Sequence, residues 1–174
     1  MSLEKLREQI PEFGRDIKLN LETILSPEGV PGLKIEQSAG IALACAYAVR
    51  QLDLAEAIKL ELNVSEETNE AAKGAASIMA MNNVYYRSMH LIADKEITRL
   101  PARLRLNIIS KPGIPKADFE LMSFAVSAIG GCGACLNSHI EEVKKHGITI
   151  EGIHSSLRIA AVVNAAKTVF SIAQ

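Results

Sequence analysis

The sequence predicts an all-α protein, and three observations support that fold class. Of its 174 residues, 48% are hydrophobic but only 4% are aromatic, and none is Trp. The apolar residues are mainly Ala, Leu, Ile and Val, and few stretches alternate apolar with polar residues as half-buried strands do. Apolar residues recur instead at the three- and four-residue intervals of a helix. We therefore expect one helical domain spanning residues 1–174, with about eight helices.

Five of these helices are expected in the N-terminal half, where Pro, Gly and polar residues separate them. They lie at residues 2–10, 13–25, 33–49, 54–62 and 65–86. Ser2 can cap the first helix, and Pro11 interrupts it. The clearest linker is the segment Ser26–Gly32, which contains two Pro and two Gly residues.

Three further helices are expected in the C-terminal half, at residues 118–128, 132–145 and 151–172. The pair Gly130-Gly131 ends the first, and His146-Gly147 closes the second as a C-cap. Before them, residues 93–118 are mixed, charged and broken by three prolines. A shift of 84 positions places residues 36–42 over 120–126 and residues 72–86 over 156–170 with similar apolar spacing. This weak repeat suggests an internally duplicated helical unit.

Charge and hydropathy exclude several classes of protein. The chain has 19 Lys and Arg against 20 Asp and Glu, scattered along its length, so no basic surface for nucleic acid is expected. The apolar run 39–49 is shorter than the roughly 20 residues of a membrane span, and Gly130-Gly131 interrupts the longer run 121–140. The N-terminus lacks the apolar core of a signal peptide. We expect a cytoplasmic protein, in which a Cys-x-x-Cys pair serves redox or metal chemistry more often than a structural disulfide.

The segment Gly130–His139 carries that pair. On a helix, Cys132, Cys135 and His139 fall within about 60° of one another. The helix N-terminus favours thiolate formation, and an imidazole one turn after Cys135 can accept its proton. A second thiol three residues away allows a disulfide to close after one thiol is oxidised. The pattern therefore indicates thiol redox chemistry.

Two other interpretations of the same residues remain open. Cys132, Cys135 and His139 could be three ligands of a zinc ion, although the sequence offers no obvious fourth. The two cysteines could also be inert residues buried on an Ala-rich helix. The third cysteine, Cys45, lies among apolar residues and is expected to be a small core residue.

Glu120 is the other titratable group of interest, because it lies in an otherwise apolar helix twelve residues before Cys132. A carboxylate in such a helix lies either at the solvent edge or beside a partner. If the Gly130-Gly131 break folds the two helices together, Glu120 could approach His139 as part of a proton relay.

Taken together, Glu120, Cys132-Gly133-Ala134-Cys135 and His139 resemble the signature of the alkyl hydroperoxidase D family, within the carboxymuconolactone decarboxylase-like superfamily. The resemblance extends to Met81–Arg87, Leu104–Ile109, Pro112–Lys116 and Phe119–Ile129, and covers nearly the whole chain.

The resemblance implies an all-helical subunit that assembles as a homotrimer and acts in antioxidant defence as a peroxidase towards alkyl hydroperoxides. It implies no tightly bound cofactor and no metal. The reducing equivalents would come from the dihydrolipoyl group of a 2-oxoacid dehydrogenase component, and the protein would re-reduce a partner peroxiredoxin of the alkyl hydroperoxide reductase C type.

Carried onto this chain, the resemblance makes Cys135 the peroxidatic thiol that becomes a sulfenic acid. Cys132 would donate a proton and then form the disulfide with Cys135, while Glu120 and His139 would act as the base relay. The family pattern has a His between the cysteines, where this chain has Ala134. Because that departure shortens the relay, a dithiol–disulfide relay protein without significant peroxidase activity is an alternative. A non-enzymatic helical module, with zinc-bound or structural cysteines, is another.

Overall fold

A computed structural model describes residues 1–173, and this part of the chain folds into ten α-helices and two short 3-10 helices, without strands. The helices are α1 (Leu3–Glu8), α2 (Arg15–Ile24), α3 (Ile35–Ala48), α4 (Leu52–Glu61), α5 (Glu66–Leu91), α6 (Lys95–Thr98), α7 (Asn107–Ser110), α8 (Lys116–Gly130), α9 (Gly133–Lys145) and α10 (Ile150–Ile172). The 3-10 helices are Glu12–Gly14 and Pro27–Gly29. The all-α prediction is confirmed.

The eight helices expected from the sequence are all present, and the two additional ones are short. Both α6 and α7 have four residues and lie in the proline-broken segment, where no apolar periodicity could indicate them. The predicted cap at Ser2 forms, and Ser65 caps α5 in the same way. The hydroxyl of Ser2 accepts a hydrogen bond from the Lys5 N–H at 3.3 Å, and the hydroxyl of Ser65 accepts one from the Thr68 N–H at 3.2 Å.

The core lies where α3, α5, α8 and α10 pack against one another. Helix α3 is apolar on all sides, and residues 38–46 are buried without a break. Helix α5, the longest, crosses both α3 and α8 and also reaches α9. This packing matters for the site, because one face of α5 lies against the helix that carries the two cysteines.

The apolar run 121–140 is divided between α8 and α9 at Gly131, whose φ of 65° is left-handed. Glycine adopts that conformation without the steric cost that a side chain would add. The chain therefore reverses direction between Glu120 and His139. Nowhere within residues 1–173 does the structure contain a helix of the length and apolarity that crossing a membrane requires.

The order of elements repeats at the interval that the sequence suggests. Helices α5 and α10 begin 84 positions apart, at Glu66 and Ile150, and α4 and α9 end 84 positions apart, at Glu61 and Lys145. Each half contains a buried helix, a shorter helix and a long helix, in that order. The contacts follow the same pattern, since α3 packs against α5 as α8 packs against α10.

Candidate active site

The two cysteines lie at the turn between α8 and α9 and are joined by a disulfide bond. Cys132 is the N-cap of α9, and its Sγ accepts a hydrogen bond from the Cys135 N–H at 3.3 Å. This contact uses one of the unpaired N–H groups at the helix N-terminus, which favour negative charge on a nearby sulfur. The sequence prediction that both cysteines lie at the start of a helix is confirmed.

Helix α5 holds this turn from the opposite side. The guanidinium of Arg87 donates a hydrogen bond to the carbonyl oxygen of Gly130. A Cβ at position 130 would collide with the side chain of Asn83, so glycine is required there by close packing. The turn that carries Cys132 is thereby fixed to α5.

The two sulfurs differ in their access to solvent. Cys132 is completely buried, whereas Cys135 is 7% exposed and borders a pocket of about 400 Å³. Cys132 is not among the residues that line this pocket. A molecule entering the pocket therefore meets Cys135 first, with Cys132 behind it.

Reactive, apolar and charged side chains line the pocket. Cys135 and His139 are among them, together with Met79, Asn82 and Tyr86 of α5. Leu106 and Ile109, from the segment around α7, add apolar surface. The remaining lining residues are Lys116, Glu120, Ala134, Ser138, Glu141, Glu142 and Lys145.

Glu120 and His139 form a direct contact, with 2.6 Å between Glu120 Oε2 and His139 Nδ1. Both side chains are buried, at 3% and 8% exposure. The approach of Glu120 to His139, which the sequence left open, therefore occurs. It depends on the turn at Gly131, which lays α9 back against α8.

Lys116 holds the other oxygen of this carboxylate, with 3.2 Å between its Nζ and Glu120 Oε1. Burial alone would raise the pKa of Glu120. The hydrogen bond and charge of His139, followed by those of Lys116, outweigh burial and hold the pKa of Glu120 below its ordinary value. Because the ionised carboxylate can only accept hydrogen bonds, the Nδ1 of His139 carries the proton between them.

The second ring nitrogen, Nε2 of His139, faces the sulfur of Met79 at 3.4 Å. Met79 is fully buried, and its sulfur also lies 3.5 Å from the hydroxyl of Ser127. The imidazole is therefore held on both sides, by a carboxylate on α8 and a thioether on α5. Within α9, His139 lies one turn after Cys135, on the same face of the helix.

Three of the residues at this site were not identified from the sequence. Lys116 stands four residues before Glu120, a spacing that places two side chains on one helix face, so it could have been found. Met79 and Asn82 gave no local signal, because their roles depend on how α5 crosses α9.

The remaining cysteine and histidines lie elsewhere. Cys45 is a free thiol, and complete burial raises its pKa strongly, which agrees with the expected core role. His90 and His154 are exposed. His146 lies 3.4 Å from Glu142 at the end of α9.

Chemically, the site brings together an accessible sulfur, a second sulfur within bonding distance and an imidazole–carboxylate pair. Such a set can carry out thiol–disulfide exchange, and it can move a proton to or from a sulfur. The roles assigned to Cys132, Cys135, His139 and Glu120 stay predictions, although the structure pairs Cys132 with Cys135 and Glu120 with His139, and three of the four line one pocket.

Comparison with known proteins identifies the family of this chain. The family model described as "Carboxymuconolactone decarboxylase family" matches residues 95–174. The protein named alkyl hydroperoxide reductase AhpD of Coxiella burnetii (strain RSA 493 / Nine Mile phase I) is 50% identical over 164 residues, which cover 93% of each chain. The AhpD of Hyphomonas neptunium is 48% identical over 178 residues, covering 98% of this chain and 94% of its own. The AhpD of Brucella suis is 44% identical over 168 residues, covering 95% and 94%. The chain belongs to the alkyl hydroperoxidase D (AhpD) family of the carboxymuconolactone decarboxylase-like superfamily.

Proposed function

We propose that this protein is a thiol-dependent peroxidase that reduces alkyl hydroperoxides, the activity in the names of its AhpD relatives. One observation carries the proposal. Of the two bonded sulfurs, only that of Cys135 borders the pocket, while Cys132 lies buried behind it. This is the arrangement that a peroxidatic and a resolving cysteine need.

In the proposed reaction, the reduced Cys135 thiolate attacks the terminal oxygen of the hydroperoxide. A sulfur–oxygen bond forms and the oxygen–oxygen bond breaks, which leaves a sulfenic acid on Cys135 and an alkoxide that takes a proton to become the alcohol. The sulfur of Cys132 then attacks Cys135, the hydroxyl leaves with a proton as water, and the disulfide forms. The substrate is thereby reduced by two electrons, which come from the two thiols.

Glu120 and His139 would serve as the proton relay. Glu120 holds Nδ1, and Nε2, which lies 3.4 Å from the Met79 sulfur, would be the nitrogen that exchanges protons with the thiols. This geometry supports our choice of Cys135 over Cys132 as the peroxidatic thiol. The helix N-terminus favours Cys132, but a base one turn away and access from the pocket both favour Cys135.

A dithiol donor completes the cycle by attacking the sulfur of Cys135, which borders the pocket, and releasing Cys132 as a thiol. The second thiol of the donor then displaces Cys135, so that the donor leaves as a disulfide. We propose a dihydrolipoyl group of a 2-oxoacid dehydrogenase component as this donor. No tightly bound cofactor is needed, because the electrons pass between sulfurs. A peroxiredoxin of the alkyl hydroperoxide reductase C type would be a second protein substrate.

We further propose a cytoplasmic homotrimer. Support for an assembly comes from apolar residues left at the surface of the long helices, including Val84 of α5 at 58% exposure and Leu157 of α10 at 37%. Light scattering on the purified chain measures its mass directly, and a monomer at micromolar concentration would contradict the trimer.

Turnover of cumene hydroperoxide with dihydrolipoamide as the donor tests the proposed function. We expect the wild-type protein to consume both, and Cys135→Ser to reduce the rate to background. Unchanged turnover in Cys135→Ser would overturn the peroxidase proposal.

The alternative of a dithiol–disulfide relay without peroxidase activity is favoured by one feature, the missing imidazole at Ala134. It predicts fast reduction of the disulfide by dihydrolipoamide but oxidation by hydroperoxide no faster than that of free cysteine. A structural zinc module predicts instead one zinc per chain in the reduced protein, lost in Cys132→Ser.

A further inference from the structure

Two neighbouring asparagines of α5, Asn82 and Asn83, are both buried to the same extent, at 5% exposure. The surroundings of Asn83 explain its burial. Its Nδ2 donates to the carbonyl oxygen of Val126 at 3.4 Å, and its Oδ1 accepts from the hydroxyl of Ser127 at 2.9 Å. Asn83 therefore ties α5 to α8 and serves the packing of these two helices.

Asn82 has no such explanation within residues 1–173. Its Oδ1 is buried and makes no hydrogen bond, so the fold bears the cost of removing that atom from water without a bond in return. Buried polar groups in proteins are nearly always paired. An unpaired one next to a functional site indicates a partner that arrives from outside the chain.

The position of Asn82 points to the same conclusion. Asn82 is one of the residues that line the pocket, and its main-chain carbonyl oxygen lies 3.9 Å from the Sγ of Cys135. Met79 and Tyr86, close to one turn away on either side, line the same wall. A molecule that reaches the Cys135 sulfur from the pocket must therefore lie beside this turn of α5.

We propose that Asn82 is a substrate-binding residue whose side-chain amide hydrogen-bonds the –O–OH group of a hydroperoxide positioned at Cys135. The inference rests on the proposed peroxidase function and adds to it a residue that contacts substrate. A hydroperoxide offers one O–H donor and two oxygen acceptors, and an amide offers one acceptor and two N–H donors. Rotation about the last side-chain bond, which is broad for amides, lets either end of the Asn82 amide face the pocket.

The amide has a separate task at each oxygen of the substrate. Its carbonyl accepts the O–H of the terminal oxygen, which turns that oxygen towards sulfur. Its N–H donates to the inner oxygen, which gains negative charge as the oxygen–oxygen bond breaks and then takes a proton to form the alcohol. The alkyl group lies against the apolar surface of Leu106 and Ile109. Asn82 supplies no proton or electron and is unchanged by the reaction.

The test separates the two half-reactions in the variants Asn82→Leu and Asn82→Ser. Leu has a similar volume without polar atoms, and Ser keeps a shorter hydrogen-bonding group. Rapid mixing measures oxidation of the reduced protein by cumene hydroperoxide, and reduction of the disulfide by dihydrolipoamide is measured separately. We expect Asn82→Leu to slow oxidation by about tenfold to a hundredfold, Asn82→Ser to slow it less, and disulfide reduction to stay within about twofold of wild type.

Asn69→Ala, at another buried asparagine of α5 that does not line the pocket, is the matched control. We expect it to lower the melting temperature and leave the oxidation rate per folded molecule unchanged, because its hydrogen bonds to Tyr47 and Glu66 serve packing. Asn82→Leu should leave the melting temperature unchanged or raise it, since an unpaired polar atom is removed. If Asn82→Leu does not fold, Asn82→Ser alone decides the question by its oxidation rate.

If both Asn82 variants are oxidised by cumene hydroperoxide at the wild-type rate, the inference is overturned. A structural water would then be the partner of Oδ1. Equal slowing of both half-reactions would also overturn it, because the residue would then shape the thiol site rather than bind hydroperoxide. A wild-type oxidation rate no faster than that of free cysteine would instead overturn the proposed function itself, and this inference with it.

Discussion

The two halves of the molecule have the same order of helices but differ in chemistry. In the C-terminal half, the buried helix α8, the turn and α9 carry Glu120, the two cysteines and His139. At a shift of 84 positions, the N-terminal half has Glu36, Ala48, Gln51 and Ala55. The apolar spacing that builds the helices is shared, and the two units differ at the few positions that form the redox site.

The carboxylates show this most clearly. Glu36 is exposed, whereas Glu120 is buried at 3% exposure, although both precede the turn by a similar length of helix. The C-terminal half provides Lys116 and His139 as partners for its carboxylate, and the corresponding N-terminal positions are Gly32 and Ala55. A buried carboxylate without partners would be costly. Burial of the glutamate therefore depends on the two cationic or proton-donating neighbours.

The largest expected difference between the halves concerns their cysteines. Cys132→Ser should lower multiple-turnover peroxidase activity well below that of wild type, because no protein thiol remains to close the disulfide with Cys135 and the donor alone must reduce the sulfenic acid. The matched control is Cys45→Ala in the N-terminal half, since burial raises the pKa of that thiol and keeps it unreactive. Steady-state assays of both variants measure the difference. Equal loss of activity in both would contradict the assignment of the redox site to the C-terminal half.

A smaller but substantial effect is expected at His139, whose N-terminal counterpart is alanine. His139→Gln should lower kcat/KM for hydroperoxide by about 100-fold, because the relay loses its proton-exchanging group. His146→Gln, at the end of the same helix and outside the pocket, is the control and should behave as wild type. If the two variants have the same rate, His139 has no part in proton transfer.

The two glutamates should also differ in how they link stability to pH. The pKa of Glu120 is lowered in the folded protein. Its ionised carboxylate therefore stabilises the folded state at pH values above the ordinary glutamate pKa of about 4.3. This stabilisation is lost as the pH falls through the lower folded-state value. Glu120→Gln should therefore be less stable than wild type at neutral pH, with a difference that narrows on acidification below about pH 5.

Denaturant unfolding between neutral and acidic pH measures this difference. Glu36→Gln is the matched control, because its side chain is exposed. The difference in unfolding free energy between Glu36→Gln and wild type should not change on acidification in this way. A stability difference for Glu120→Gln that is constant across the pH range would show that the buried carboxylate is not held in its charged form.

The smallest expected effect concerns Ala134, which is exposed at the edge of the pocket. Ala134→His would add a second imidazole beside Cys135. We expect hydroperoxide oxidation to accelerate by less than about tenfold, because the Glu120–His139 pair already provides one relay. Disulfide reduction by dihydrolipoamide should change little. Acceleration of that step by the same factor would show that the added imidazole acts on thiol reactivity in general.

Much of the fold and part of the site could be predicted from the sequence. The remaining features depend on contacts between residues that are distant in the sequence. The helices, the cap at Ser2 and the break at Gly131 follow from local patterns of apolar, polar and glycine residues. The Cys-x-x-Cys pair is also local. The contact of Glu120 with His139 could be stated only as a possibility, because it requires α8 and α9 to fold back on each other.

Met79 and Asn82 could not be predicted in the same way. In the sequence, Met79 is one more apolar residue of an Ala-rich helix, and Asn82 cannot be told from Asn83. Only the crossing of α5 over α8 and α9 places one asparagine in a hydrogen-bonded helix interface and the other beside a reactive sulfur. Local propensity carries no information about such crossings.

The central claim is that Cys135 is the sulfur that hydroperoxide oxidises. It is tested most directly by trapping the sulfenic acid in Cys132→Ser, where no disulfide can consume it. The reduced variant is treated with one equivalent of cumene hydroperoxide and dimedone, and the modified residue is located by tandem mass spectrometry. We expect the dimedone adduct on Cys135, in near-stoichiometric yield. An adduct confined to Cys45, or a Cys135 that stays a free thiol, would contradict the account.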